Sequence, residues 1–144
     1  MVSHTVEAVI EAPRHVVFDV FTDREHSGEY LPLRTRLVRP GTDSRQGVGA
    51  VHFLGFGRVG VREQIVELVA DERMVYKVVA GLPVRSHIGT VEFRDAPGGT
   101  AVSYTMTSLP KLPVPRRLLV AILDRMTKTM VTGARREALA RAGR

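Results

Sequence analysis

Near the C-terminal end of the chain, apolar residues recur at steps of three and four. Leu119, Ile122, Leu123, Met126, Met130 and Ala134 share one helical face, and Arg117, Asp124, Lys128 and Arg135 the opposite one. The spacing predicts one long amphipathic helix over residues 114–140, with Met126 and Met130 at the centre of its buried face. Pro110, Pro113 and Pro115 exclude a helix before that stretch. Upstream the period falls to two. Val6, Ala8 and Ile10 alternate with Thr5, Glu7, Val9 and Glu11, as in a strand. Pro13 then opens a helix running to about Phe21, with Val17, Phe18 and Phe21 inward. Thr22-Asp23 caps a second short helix through about Glu29, closed by Tyr30-Leu31-Pro32. Strand-like stretches follow at 34–39, 49–54, 58–69, 74–80, 87–94 and 100–108. Gly55-Phe56-Gly57 fits a tight hairpin, and the switch of parity to Val66 and Leu68 after Ile65 marks a bulge.

Consecutive strands with short turns form an antiparallel meander. The pattern therefore predicts one α+β domain over residues 1–144: a strand, two short helices, about six strands and a long helix that covers the sheet. A bent sheet around one helix leaves room for a hollow. Parity selects the inward side chains: Val59, Val61, Glu63 and Ile65; Met74, Tyr76, Val78 and Ala80; His87, Gly89, Val91 and Phe93; Val102, Tyr104 and Met106. For 49–54 the choice stays open between Val51 with Phe53 and His52 with Leu54. The expected lining is mostly apolar with a few polar groups, the usual make-up of a small-molecule pocket.

Composition narrows the class. At 44% hydrophobic and 25% charged, the 144 residues suit a soluble globular domain with its own core. No apolar run approaches the roughly 20 residues of a membrane span. The N-terminal residues lack a basic region followed by an apolar one, so no signal peptide is expected. Cysteine is absent, which removes thiol chemistry and fits a cytoplasmic location. The net charge is +6, densest at Arg135, Arg136, Arg141 and Arg144. Such a tail is either a solvated helix end whose cations face the negative dipole pole or a nucleic-acid patch. No aromatic residues are interleaved for base stacking, which favours the first, so nucleic acid is not an expected partner. The five histidines lack metal-ligand spacing, the glycine pairs at 47–49 and 55–57 precede no helix, and neither a metal nor another cofactor is expected. Ser86 and His87 are adjacent on a strand and point to opposite faces, so they are not a nucleophile and its base.

Ile10-Glu11-Ala12-Pro13, then Val17-Phe18, Thr22-Asp23 and Leu31-Pro32, resembles the opening of the START/Bet v 1-like (SRPBCC) superfamily, and within it the polyketide cyclase/dehydrase and lipid-transport group. Gly47-Val48-Gly49, Arg62-Glu63, Val75-Tyr76 and Gly98-Gly99-Thr100 continue the likeness over nearly the whole chain. The resemblance implies a helix-grip fold: a curved antiparallel sheet of about seven strands around the C-terminal helix, two short helices after the first strand, and a hydrophobic ligand cavity between. Members include lipid carriers, hormone binders, polyketide aromatases and cyclases, and coenzyme-Q-binding proteins. No single catalytic signature unites them, so the resemblance carries no catalytic residue to this chain.

The chemistry must then come from the inward residues. A carboxylate at Glu63, among Val59, Val61 and Ile65, is either desolvated and able to act as an acid or base near neutrality, or paired with an arginine. His87, at a strand start by the cavity mouth, is either a proton shuttle or a partly exposed strand-end histidine. Tyr76 and Tyr104 either orient a carbonyl or hydroxyl or fill the core with locally bonded hydroxyls. The expected ligand contacts are Val61, Glu63, Tyr76, His87, Val91, Tyr104, Met106, Leu119, Ile122, Met126 and Met130. The leading expectation is a protein that binds a small hydrophobic, lipid- or polyketide-like ligand under the helix. The alternative is a cyclase or dehydratase in which Glu63 or His87 moves a proton α to a carbonyl and a tyrosine stabilises the enolate oxygen. A third class, an interaction protein of the ribosome or of respiratory quinones, has only the basic surface behind it.

Overall fold

The computed structural model describes residues 1–143; Arg144, one of the tail cations, lies outside the described residues. The chain forms β1 (Val2–Ile10), α1 (Arg14–Thr22), a 3₁₀ helix (Arg24–Glu29), β2 (Arg34–Arg39), β3 (Val51–Phe56), β4 (Val59–Val69), β5 (Arg73–Ala80), β6 (Val84–Ala96), β7 (Gly99–Pro110) and α2 (Arg116–Ala142). The strands make one antiparallel sheet in the order β1-β7-β6-β5-β4-β3-β2. The meander runs from β2 to β7, and β1 closes it at β7.

Local chemistry explains the boundaries. Pro13 sits just outside α1, where its fixed φ suits the helix entry, and its carbonyl accepts the Val16 and Val17 N–H groups at 3.0 and 3.1 Å. The second short helix is 3₁₀ rather than α. Ser27 and Gly28 are weak helix formers, and the Ser27 hydroxyl donates to the Arg24 carbonyl at 2.8 Å. The β3–β4 turn falls at Gly57-Arg58, with Gly57 at φ +57°. The β4–β5 register shifts twice, between Arg62 and Glu63 and between Ile65 and Glu67; the second shift coincides with the change of parity in the sequence.

The inward face follows the alternation through the middle of the sheet. At the strand ends Val59, 80% exposed, and Ala80, also exposed, lie outside although both were expected inward. Met74, Tyr76, Val91, Phe93, Val102, Tyr104 and Met106 are buried, and the open choice on β3 resolves in favour of His52 and Leu54, which pair with Glu63 and Val61. Phe18 and Phe21 of α1 meet Phe93 edge to face at 5.3 and 5.5 Å, Phe21 meets Tyr104 at 6.1 Å, and Tyr104 meets Tyr76 at 6.4 Å. This train of rings fills much of the space that a bare sheet and helix would leave.

On α2 the expected face is rotated. The helix packs on β1 and α1 and less on β7, and its buried line runs through Leu119, Leu123, Thr127, Val131, Ala134 and Ala138. Ile122 and Met126, expected inside, are instead 42% and 39% exposed. The reason is Thr127, whose hydroxyl donates to the Leu123 carbonyl at 2.6 Å and so enters the core with its polarity satisfied. With Thr127 at the contact line, Leu118, Ile122 and Met126 form an apolar flank that faces outward.

Candidate functional site: a buried polar hub under the helix

Glu63 points from β4 into the interior, level with His52 on β3 and Val78 on β5. Its charge is answered by Arg24, which reaches in from the 3₁₀ helix and is 4% exposed. Of the two alternatives for Glu63, the ion pair is the one observed. The Arg24 guanidinium also lies 4.7 Å over the Tyr76 ring. That ring lies across Gly89, its neighbour on β6, where any Cβ would collide with it. The Tyr76 and Tyr104 hydroxyls are hydrogen-bonded to each other. Burial pushes both phenols above their ordinary pKa, with the Arg24 charge acting against the rise at Tyr104, so both stay protonated.

His52 adjoins this hub and is fully buried. Its Nε2 lies 3.0 Å from Gln46 Oε1, an oxygen that also accepts the Glu25 N–H at 3.0 Å. Because that partner is an acceptor, Nε2 carries the proton and Nδ1 is a bare lone pair. Burial, helped by the Arg24 charge, lowers the His52 pKa to about 4, so the ring is neutral at neutral pH. Two atoms of the hub have no hydrogen-bond partner: Arg24 Nε, a donor, and His52 Nδ1, an acceptor.

His87 lies inside β6 rather than at a partly exposed strand end, and it is 3% exposed. Its Nδ1 bonds to the Ser108 hydroxyl on β7, and burial lowers its pKa. Glu63 and His87 are not brought together: β5 lies between them, a separation of about 10 Å for alternate strands. Arg24 and Ser108 were missed in the sequence. Ser108 was legible in principle, because it faces His87 in the β6–β7 register. Arg24 carried no periodic signal, since it lies on a short 3₁₀ segment.

Among the other expected contacts, Val91, Tyr104, Met106 and Leu119 are buried and Val61 is half-buried. Met130 is half-buried and borders a void of about 20 Å³, together with Phe21, Arg24, Tyr30, Leu31, Tyr104 and Ala134. That is room for about one water molecule. Outside it lies a groove of about 870 Å³ between residues 29–32 and the outer side of α2. Tyr30 and Leu31 wall both spaces. The turn packs tightly on α2 because residue 133 is glycine: a Cβ there would fall 2.5 Å from Leu31 Cδ2 and 2.9 Å from the Tyr30 carbonyl oxygen. At the far end of α2, Arg135 forks onto Glu11 and Arg141 meets Glu137 and Asp23.

A seven-stranded antiparallel sheet gripping one long helix, with polar groups gathered beneath that helix, defines a helix-grip protein. Residues 1–143 match the family described as polyketide cyclase / dehydrase and lipid transport, and the chain belongs to that family. Its structure is similar to that of a protein from Thermus thermophilus, with a TM-score of 0.80, 21% identity and coverage of 98% of this chain and 99% of the other. A START superfamily protein from Mycobacterium smegmatis aligns with a TM-score of 0.79 at 14% identity, covering 96% and 97% of the two chains. The di-domain ARO/CYC StfQ from the steffimycin biosynthetic pathway aligns with a TM-score of 0.78 at 16% identity, over 99% of this chain and 52% of that one. No curated protein matches the sequence.

Proposed function

We propose that the chain binds a small, largely apolar molecule bearing a hydroxyl or carbonyl, with its polar end at the Arg24–Glu63 hub and its body between α2 and the sheet. The observation that carries this reading is the pair of unpartnered buried atoms, Arg24 Nε and His52 Nδ1. Buried polar groups are almost always satisfied, and an unmet donor and an unmet acceptor in the same hub suit a guest that carries a hydroxyl or a carbonyl. The family description, polyketide cyclase / dehydrase and lipid transport, names the same class of guest. A void of about 20 Å³ requires the wall to yield. The side to yield is the Tyr30-Leu31 turn, whose retreat from Gly133 would join the outer groove to the void. Native mass spectrometry of protein purified from its host tests the reading, and a retained apolar molecule is expected. Met130→Trp should fill the void and abolish retention without touching the ion pair. A wild-type chain that is always empty, or a variant that retains the same guest equally well, would refute the proposal.

One observation favours an enzymatic reading beside it. His87 is neutral, buried and bonded to Ser108, so it can accept a proton from a substrate carbon α to a carbonyl. Glu63, the other expected acid or base, is engaged by Arg24. With a polyketide-like substrate, His87→Ala should abolish turnover while leaving affinity within a few-fold. Glu63→Gln, which removes the charge facing Arg24, is the comparison. Unchanged turnover in His87→Ala removes the enzymatic reading.

A further inference from the structure

The antiparallel topology places the start of β1, β2, β4, β6 and α2, and the ends of β3, β5 and β7, at one end of the molecule. The segments that run to that end, residues 30–42, 44–62, 73–91 and 96–123, contain no aspartate or glutamate. Their exposed cations include Arg58, Arg62, Arg85, Lys111, Arg116 and Arg117, none of which makes an ion pair among the described residues. The opposite end holds Glu11, Asp23, Asp95 and Glu137, which pair with arginines. The molecule is therefore polarised along its strands.

The same end exposes large apolar side chains: Phe56 at 66% and Val59 at 80% on the β3–β4 hairpin, Leu112 at 57%, and Leu118 at 53% on α2. Beside the hairpin the outer face of the sheet forms a dish of about 410 Å³ lined by Arg36, Arg58 and Arg62, with Phe53 and the glycines 57, 60 and 81 completing its wall. Arg36, Phe53 and Arg62 are consecutive partners across three strands, and the Arg36 guanidinium lies 5.0 Å over the Phe53 ring. The glycines keep the dish open, and three guanidiniums converge on it with no carboxylate among its lining residues.

We propose that this end docks on an anionic phospholipid bilayer. Arg36, Arg58 and Arg62 take a lipid phosphate, Phe56 and Val59 enter the interface, and Lys111, Arg116 and Arg117 rest on the charged surface. Guanidiniums match phosphate oxygens in forked geometry, and basic residues beside exposed apolar ones suit the interfacial region of a bilayer. Three of the four exposed apolar tips, Val59, Leu112 and Leu118, are aliphatic and offer no surface for base stacking, with Phe56 the single ring among them, so a bilayer fits better than RNA. Docking is peripheral, since no helix among the described residues is long and apolar enough to cross a membrane. It stands independently of whether the interior takes a ligand.

Flotation of the full chain with phosphatidylcholine vesicles, with and without phosphatidylglycerol, tests this. Binding is expected only to the phosphatidylglycerol vesicles and should weaken as salt rises. Arg58→Glu and Arg62→Glu should each weaken it by about fivefold or more, the worth of one cation at an anionic surface. Phe56→Ser with Val59→Ser should weaken it further. Arg94→Glu, the same charge change at the opposite end, should leave it within twofold. Circular dichroism confirms that these surface variants fold. The proposal is overturned by absence of flotation, by equal flotation with pure phosphatidylcholine, or by an Arg94→Glu loss equal to that of Arg58→Glu. It is overturned equally if free glycerol phosphate saturates the dish and vesicles do not bind, if single-stranded RNA binds in their place, or if sedimentation shows a dimer that Phe56→Ser dissociates.

Discussion

At the scale of single residues, the interior depends on how one buried charge is answered. Glu63 and Arg24 are 7% and 4% exposed, so removing either partner strands the other. Glu63→Ala should lower unfolding stability by about 3–5 kcal/mol in urea titrations, whereas Arg24→Met combined with Glu63→Leu should come out neutral or more stable. A small effect of the single variant would show that Arg24 finds another partner or water. His52 gives a second residue-scale prediction. Its pKa is about 4 in the folded chain against 6.5 when free, so between those values the unfolded chain takes a proton that the folded chain refuses. Stability is therefore full above pH 6.5 and falls by about 3 kcal/mol as the pH drops to about 4. His87, whose pKa is also lowered, adds loss in the same direction. His52→Gln should flatten part of this slope, and a wild-type stability that does not change over the window would exclude a buried neutral His52. The inward positions of Glu63, Tyr76 and His87 were legible because strand alternation is strict. The partner of Glu63 was not, because an ion pair closed across 39 residues leaves no local pattern.

At the scale of elements, the strands were more legible than the helix face. Six of the seven strands pair with a chain neighbour on at least one side, so period and turn signals suffice to order them. The face of α2 depends on which apolar stripe the tertiary structure selects, and two compete: Leu119-Leu123-Thr127 and Leu118-Ile122-Met126. Hydrophobicity alone prefers the methionine side. The structure takes the threonine side, because Thr127 closes its own hydrogen bond and the helix lies toward β1. Packing of the Tyr30-Leu31 turn on α2 can be tested at Gly133. Alanine there would gain about 1 kcal/mol in helix propensity. Its Cβ, however, would meet the Tyr30 carbonyl oxygen at 2.9 Å, and a backbone atom cannot swing aside as a side-chain end can. Gly133→Ala should therefore destabilise the protein by about 1–3 kcal/mol in thermal or urea unfolding. A net gain in stability would mean that the turn already moves freely.

At the scale of the whole molecule, the hollow expected beneath the helix is a small void, because α1 and the sheet contribute a chain of edge-on rings from Phe18 to Tyr76. Ring packing of this kind has no sequence period, so the grip was legible and its filling was not. Charge is likewise divided by topology rather than by sequence blocks, with the acid-free segments gathered at one end only once the strands are antiparallel. The proposed guest must displace Tyr30 and Leu31 and reach Met130 and the hub. The methionines make good reporters, since Met74 and Met106 are inside, Met130 borders the void and Met126 faces outward. The decisive measurement is a methyl-¹³C methionine spectrum titrated with 2-naphthol or decanoic acid. Saturable shifts of Met130 and Met106 with Met126 unmoved are expected for entry beneath the helix. Shifts confined to Met126, or none at any methionine, would mean that nothing enters there.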